Sequence, residues 1–243
     1  MIFYEGPSMI TGKPIVAIAT GLTRRTTNAK TGDMVQTWIL CSDMNPTVAI
    51  NTGDDESICG SCPMRGIIEE GRNRWRSCYV AVRQAPWQIY EAYQNGSYDR
   101  EQPNLTGRSI RLGAYGDPCA VPYSYWKKMI DQADGHTGYT HSWRTGKFWR
   151  FRRIVMASVE SRDDAALAQS KGWRTFRSSK EVDPKRGEFL CPASEEAGKR
   201  LTCFECRACN GSGNNHRRAS VVNPIHGGPG VLSSYQHAFG EQQ

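Results

Sequence analysis

Seven of this chain's nine cysteines fall into two groups, and that grouping constrains it more than any other feature. Cys59, Cys62 and Cys78 lie in ICGSCPMRG and RSCYVAV. Cys191, Cys203, Cys206 and Cys209 lie in FLCPASEEAGKRLTCFECRACNG, and Cys41 and Cys119 stand alone. A disulfide framework fits poorly, because the total is odd. The opening MIFYEGPSMITGKPIVAIAT also carries Glu5 and Pro14 and no basic leader before a long apolar core, so export is not expected. In a reducing compartment, clustered thiols are metal ligands or catalytic groups. No apolar run nears the roughly 18 residues of a membrane span, so no membrane role is expected.

The second group holds the stronger signal. Four thiolates can close a zinc site or hold a [4Fe–4S] cluster. Zinc sites usually split their ligands into two C-x₂-C pairs, whereas Cys203, Cys206 and Cys209 run C-x₂-C-x₂-C and Cys191 is a distant Cys-Pro. Ferredoxin-type clusters use that vocabulary, since each iron corner of a cubane takes its own ligand. Pro192 stiffens the chain beside its ligand, and Gly211 and Gly213 let the backbone wrap closely. The expectation is a [4Fe–4S] cluster on Cys191, Cys203, Cys206 and Cys209, with zinc as the competing metal.

Cys59, Cys62 and Cys78 form a second expected metal site, iron–sulfur or zinc. Three thiolates leave one metal corner without a protein ligand. It is either open to a substrate or filled by Cys41, Cys119, a histidine or a carboxylate. The plain alternative is that Cys62 and Cys78 are small buried hydrophobes.

The pattern along the chain is that of an α/β fold. Residues 14–20 and 34–41 read as an N-terminal antiparallel hairpin, and 47–50 and 79–82 as short strands. From there strands (109–114, 138–143, 154–159, 173–177, 188–191, 219–223) alternate with helices (86–95, 122–133, 162–171), as parallel βα units do. Full units are too few for an eight-fold barrel. The expectation is one domain over 1–225, an incomplete or distorted (β/α) barrel-like fold with the added hairpin and a cysteine-rich C-terminal cluster loop. A Gly-rich tail over 226–243 is expected to wander over the surface.

Other residues carry weaker signals. Asp117, Glu160 and His141 sit at expected strand ends, where they could converge with Arg111 and Tyr139. Turn capping and a satisfied core histidine explain them more simply. Residues 144–153 (RTGKFWRFRR) interleave cations with aromatics, a pattern suited to single-stranded nucleic acid, and Arg24, Arg25, Arg217 and Arg218 add charge. A net charge of +7 is modest for this length, so buried aromatics with wet arginines are the favoured reading. P-loop, Rossmann, nucleophile-elbow and deaminase patterns are missing.

Taken together, CGSCP…CYV, RLGAYGDPCAVPYSYW, GYTHSW, MASVES with A-x-x-A-x-x-x-GWRTF, and CPASEEAG…C-x₂-C-x₂-C resemble a group of uncharacterised phage-encoded proteins. More distantly, the chain is similar to phage proteins of radical-SAM type. The resemblance spans about residues 33–225 and implies a viral iron–sulfur protein on a βα scaffold, working in a host cytoplasm. Radical-SAM enzymes hold their cluster in a compact C-x₃-C-x₂-C loop. Here a long insertion separates Cys62 from Cys78, which weighs against SAM as a cofactor. The expected role is electron transfer or redox sensing with an unidentified redox partner. The alternatives are a radical-SAM-like enzyme with an open cluster corner and a zinc-stabilised nucleic-acid-binding protein.

Overall fold

The computed structural model describes residues 1–213 and 219–239. Arg217 and Arg218, and the last four residues of the expected tail, lie outside them. The strands are β1 (Ile2–Pro7), β2 (Pro14–Thr20), β3 (Met34–Cys41), β4 (Ile67–Glu69), β5 (Arg72–Arg74), β6 (Ser109–Tyr115), β7 (Gly135–Thr140), β8 (Met156–Val159), β9 (Thr175–Ser179), β10 (Glu188–Leu190) and β11 (Ser220–Pro224). The helices are α1 (Pro46–Thr52), α2 (Glu56–Cys59), α3 (Ala85–Gln94), α4 (Tyr123–Ile130), α5 (Arg162–Ser170), α6 (Cys203–Cys206) and α7 (Pro229–Phe239).

Nine strands form one sheet in the order β1-β2-β3-β6-β7-β8-β9-β11-β10, and β4 and β5 form a small separate hairpin. β1, β2 and β3 pair antiparallel, with Val16 opposite Leu40 and Ile18 opposite Trp38. From β3 to β10 every pairing is parallel. The expected hairpin and parallel βα region are therefore both present. The sheet is open among the described residues. β10 pairs with β11 alone, and β1 pairs with β2 and makes one isolated bridge to Arg100.

Strand alternation sorts the two faces. On β6, Ile110 and Leu112 are fully buried and join α4's Trp126 and Met129 in the main core. Those helix residues stand three apart, on one face. The intervening Arg111, Gly113 and Tyr115 turn to the opposite face, which is where the cavity lies. The same face carries Tyr139 of β7, Ser158 of β8, Phe176 and Ser178 of β9 and Asn223 of β11. Polar residues on this face of the strands therefore line the cavity.

Three local expectations are corrected. Residues 47–50 are helical, inside α1. Asn45 caps that helix by accepting from the Val48 N–H at 2.9 Å, and Pro46 sits at its first turn, so cap chemistry outweighs the β-branched residues. Residues 79–82 form no strand: they run without regular structure into the turn before α3, just after Ser77 and Cys78, whose N–H groups donate to the Met64 carbonyl at 3.1 and 3.0 Å. The Gly-rich tail is not loose over its described part. It forms α7, which buries Tyr235 and Phe239 and stacks His237 on Trp75 with ring centroids 3.7 Å apart.

Candidate metal centres and the cavity between them

The second cysteine group is assembled from two chain segments. β10 delivers Cys191, whose N–H donates to the Val222 carbonyl at 2.8 Å. The helical turn α6 begins on Cys203 and ends on Cys206. A reciprocal cap between Thr202 and Glu205 secures it. The Cys203 and Phe204 N–H groups donate to the Lys30 and Thr31 carbonyls, both at 3.0 Å, so the β2–β3 connection clamps this turn. Cys209 is tied to β7 where its carbonyl accepts from Gly138 N–H at 2.9 Å. The buried guanidinium of Arg174 donates to the carbonyls of Ala208, Gly211 and Ala219 at 2.9, 2.7 and 2.6 Å, pinning both ends of this loop.

All four thiols line one small pocket with Thr137, Tyr139, Phe189 and Val221. Burial pushes the Cys191, Cys203 and Cys209 thiols up. Neighbouring thiols of the group add to this, whereas Tyr139 bonded to Cys209, and the backbone N–H groups of Ala193 and Ser194 at Cys191, pull the other way. Such N–H contacts on sulfur are how a protein tunes a cluster.

The first group is closed by a detour. α2 ends on Cys59, and Cys62 follows with its N–H on the Cys59 carbonyl at 3.2 Å. The chain then leaves through β4 and β5 and returns at Met64, whose carbonyl holds Cys78. The long insertion therefore brings Cys78 back beside Cys62, and the two thiols sense one another's charge. Arg65 fastens the loop, giving two hydrogen bonds to Asp55 Oδ1 at 3.0 and 2.6 Å and one each to the Gly60 and Gly53 carbonyls at 2.8 Å. Gly116, at φ +86°, lets the chain after β6 pass close to β3: a Cβ there would meet Ile39 Cβ at 2.7 Å.

His141 joins this group. It hydrogen-bonds Cys62, and its Nε2 meets Glu160 Oε1 at 2.7 Å. Burial works to lower its pKa, but the Cys62 and Glu160 charges outweigh that and hold it well above the ordinary value. Tyr115 Oη and Ser77 Oγ are buried at the same place and have no hydrogen-bond partner among the described residues. Two orphaned hydroxyls beside three thiols fit a sulfur-rich group that would accept their hydrogens.

The remaining candidates resolve differently. Cys41 Sγ lies 3.3 Å from Ser57 Oγ, and Cys119 Sγ lies 3.3 Å from Thr140 Oγ1, so both are buried outside the two groups. Asp117 is a structural knot. Its Oδ1 accepts from Cys119 N–H at 2.9 Å, and its Oδ2 accepts from Thr140 Oγ1 and the His141 N–H at 2.9 and 3.0 Å. In residues 144–153, Phe148 and Phe151 are core residues, while exposed Trp149 carries Arg152 stacked 3.4 Å from its ring centroid. Among the described residues, no three His, Cys, Asp or Glu side chains gather tightly enough to hold a single metal ion.

A cavity of about 330 Å³ lies between the groups. Cys59, Cys62, Cys78 and His141 line one part of it and Cys203 another, and Arg111, Lys30, Phe176 and the Val231, Leu232 and Tyr235 side chains of α7 complete much of its wall. Sequence reading missed Lys30, Ser77, Tyr115, Arg174 and α7. Ser77 stands next to a candidate ligand, and Pro229 marks a helix start, so those two signals were available locally. Lys30, Tyr115 and Arg174 are recognisable only from long-range contacts.

One prediction arises at the cluster loop. His136 Nε2 meets the Ile154 carbonyl at 2.9 Å. Burial lowers its pKa to about 4 from the ordinary 6.5, against the opposing pull of backbone groups of Ile154 and Asn210. Below pH 6.5 the unfolded chain takes up a proton that the folded chain refuses. Its contribution is intact above pH 6.5 and is lost as pH falls toward 4, by about 2–3 kcal/mol. Urea unfolding of wild type and His136→Gln between pH 7 and 4.5 checks this: the variant should lose less stability on acidification.

No helix among the described residues is long and apolar enough to cross a membrane. No protein-family model, curated protein or solved structure matches this chain.

Proposed function

We propose that this chain is a viral iron–sulfur protein of the host cytoplasm that binds a [4Fe–4S] cluster through Cys191, Cys203, Cys206 and Cys209 and serves electron transfer or another redox role. The observation that carries this reading is the meeting of these four thiols, from two chain segments, on one buried pocket. A single zinc would need all four sulfurs about 2.3 Å from one centre. A cubane takes a wider set, one thiolate per iron corner, and would supply one-electron chemistry. The pocket's backbone N–H contacts to Cys191 and the Tyr139 bond to Cys209 suit a cluster whose potential is set by the protein.

A specific observation favours a second reading, a redox enzyme. The large cavity opens onto Cys59, Cys62 and Cys78, so a cluster held there by three thiolates would present its fourth iron to a bound molecule. The polar face of the sheet supplies much of the cavity wall, which accords with this.

Anaerobic purification with iron, zinc and sulfide analysis tests the proposal. Brown protein absorbing broadly near 400 nm, with about four irons and four sulfides per occupied centre, is the expected result. Colourless protein with stoichiometric zinc overturns both readings.

A further inference from the structure

We propose that the cavity of about 330 Å³ binds a small organic anion with an apolar body, its charged end on Arg111 and Lys30 and its other end at the Cys59, Cys62, Cys78 group. This deepens the enzyme reading above by naming a ligand class, and it rests on that reading only for what the ligand meets at the cysteine end.

Three observations carry it. The first is charge. Among the described lining residues, Lys30 and Arg111 are the lysine and arginine side chains, and Asp117 is the one carboxylate. Both Asp117 oxygens are already turned onto backbone and hydroxyl donors of 119–142. The second is unused donor capacity. Arg111 stands in the inner face of β6, and its hydrogen bond among the described residues is Nη2 to Tyr79 Oη at 2.6 Å, which leaves most of a five-donor fork free. Lys30 Nζ contacts Asn223 Oδ1 at 3.5 Å and His226 Nε2 at 3.1 Å, and neither cation pairs with a carboxylate among the described residues. A guanidinium fork facing a cavity matches the two oxygens of a carboxylate or phosphate. The third is shape. Phe176, Val231, Leu232 and Tyr235 form an apolar wall, and the volume lies at the small end of the range for organic ligands.

The competing account is that Arg111 and Lys30 only balance the charge of the thiolates at Cys191 and Cys203, which both cations or their surroundings reach. The two accounts differ in what an anion does. Phenylacetate and phenyl phosphate serve as probes and neutral phenylacetamide as the control, titrated calorimetrically into anaerobically purified protein whose iron and sulfide have been measured. The expected result is that at least one anion binds, about 10-fold or more tighter than phenylacetamide, and that Arg111→Gln removes that preference. Which anion binds separates a carboxylate from a phosphate ligand. Leu232→Trp fills the cavity from α7 without altering charge, and it should abolish binding while iron and sulfide stay unchanged. It keeps the proposal testable should Arg111→Gln fold poorly.

Equal binding of the acid and the amide overturns the proposal, as does no binding of either anion. A shifted reduction potential in Arg111→Gln with anion binding untouched overturns it in favour of charge balance. Anion binding that depends on Arg111 in a protein lacking iron leaves the chamber standing and removes the iron–sulfur reading instead.

Discussion

Replacing Cys206 by Ala is expected to remove about four irons and four sulfides per chain, together with their share of the absorption near 400 nm. Cys206 closes the helical turn α6 and lines the same pocket as Cys191, Cys203 and Cys209. An alanine there leaves three thiolates for a group that needs four. The first cysteine group is a separate set across the cavity, so any metal it holds should remain. Cys41→Ala and Cys119→Ala are the controls: their sulfurs contact Ser57 and Thr140 hydroxyls, and their loss should leave the metal content unchanged. Unaltered iron and sulfide in Cys206→Ala would move the cluster to Cys59, Cys62 and Cys78.

The second large effect is expected at Gly211. It holds φ +72°, and a Cβ there would stand 2.6 Å from Ile154 N and 2.7 Å from Arg153 C and Val155 N. These are backbone atoms, so no side-chain rotation relieves the clash. Gly211→Ala therefore combines the left-handed backbone cost with forced displacement of the loop, about 3–5 kcal/mol in all. The displaced loop also carries Cys209 and the carbonyl that Arg174 holds, so the cluster should be lost with the stability. Gly213 is the internal comparison. It too has a positive φ, +52°, but a Cβ there meets nothing within 4 Å. Gly213→Ala should cost only about 1 kcal/mol and retain its iron. Denaturant midpoints and iron content of the two variants, measured side by side, check the difference. Equal effects would mean that backbone conformation, not close packing on 153–155, makes glycine necessary here.

Much of the scaffold was legible because its signals are local. The apolar strands at 14–20 and 34–41, Pro at the starts of the helices near 86 and 122, and Gly172 after α5 all act within a few residues. The misread segments have different causes, and at 47–50 it was a local one, the Asn45 cap with Pro46 at the first turn. At 79–82 the apolar run follows Ser77 and Cys78, which the Met64 carbonyl holds, and leads straight into the turn before α3. At 229–239 the glycines suggested a loose surface tail and concealed a helix that buries Tyr235 and Phe239.

The sequence by itself determined that this is an α/β chain with two candidate thiol centres, because secondary-structure periods and ligand spacings are short-range properties. Only the tertiary structure decided which groups share a site. Cys78 rejoins Cys59 and Cys62 across the β4–β5 detour, His141 reaches both Cys62 and Glu160, and Lys30 is brought to Cys203 by backbone bonds spanning most of the chain. The cavity between the two thiol groups is likewise a product of strand order. It forms where alternate residues of β6, β7, β8, β9 and β11 turn to one face of the sheet, and no spacing along the chain encodes that meeting.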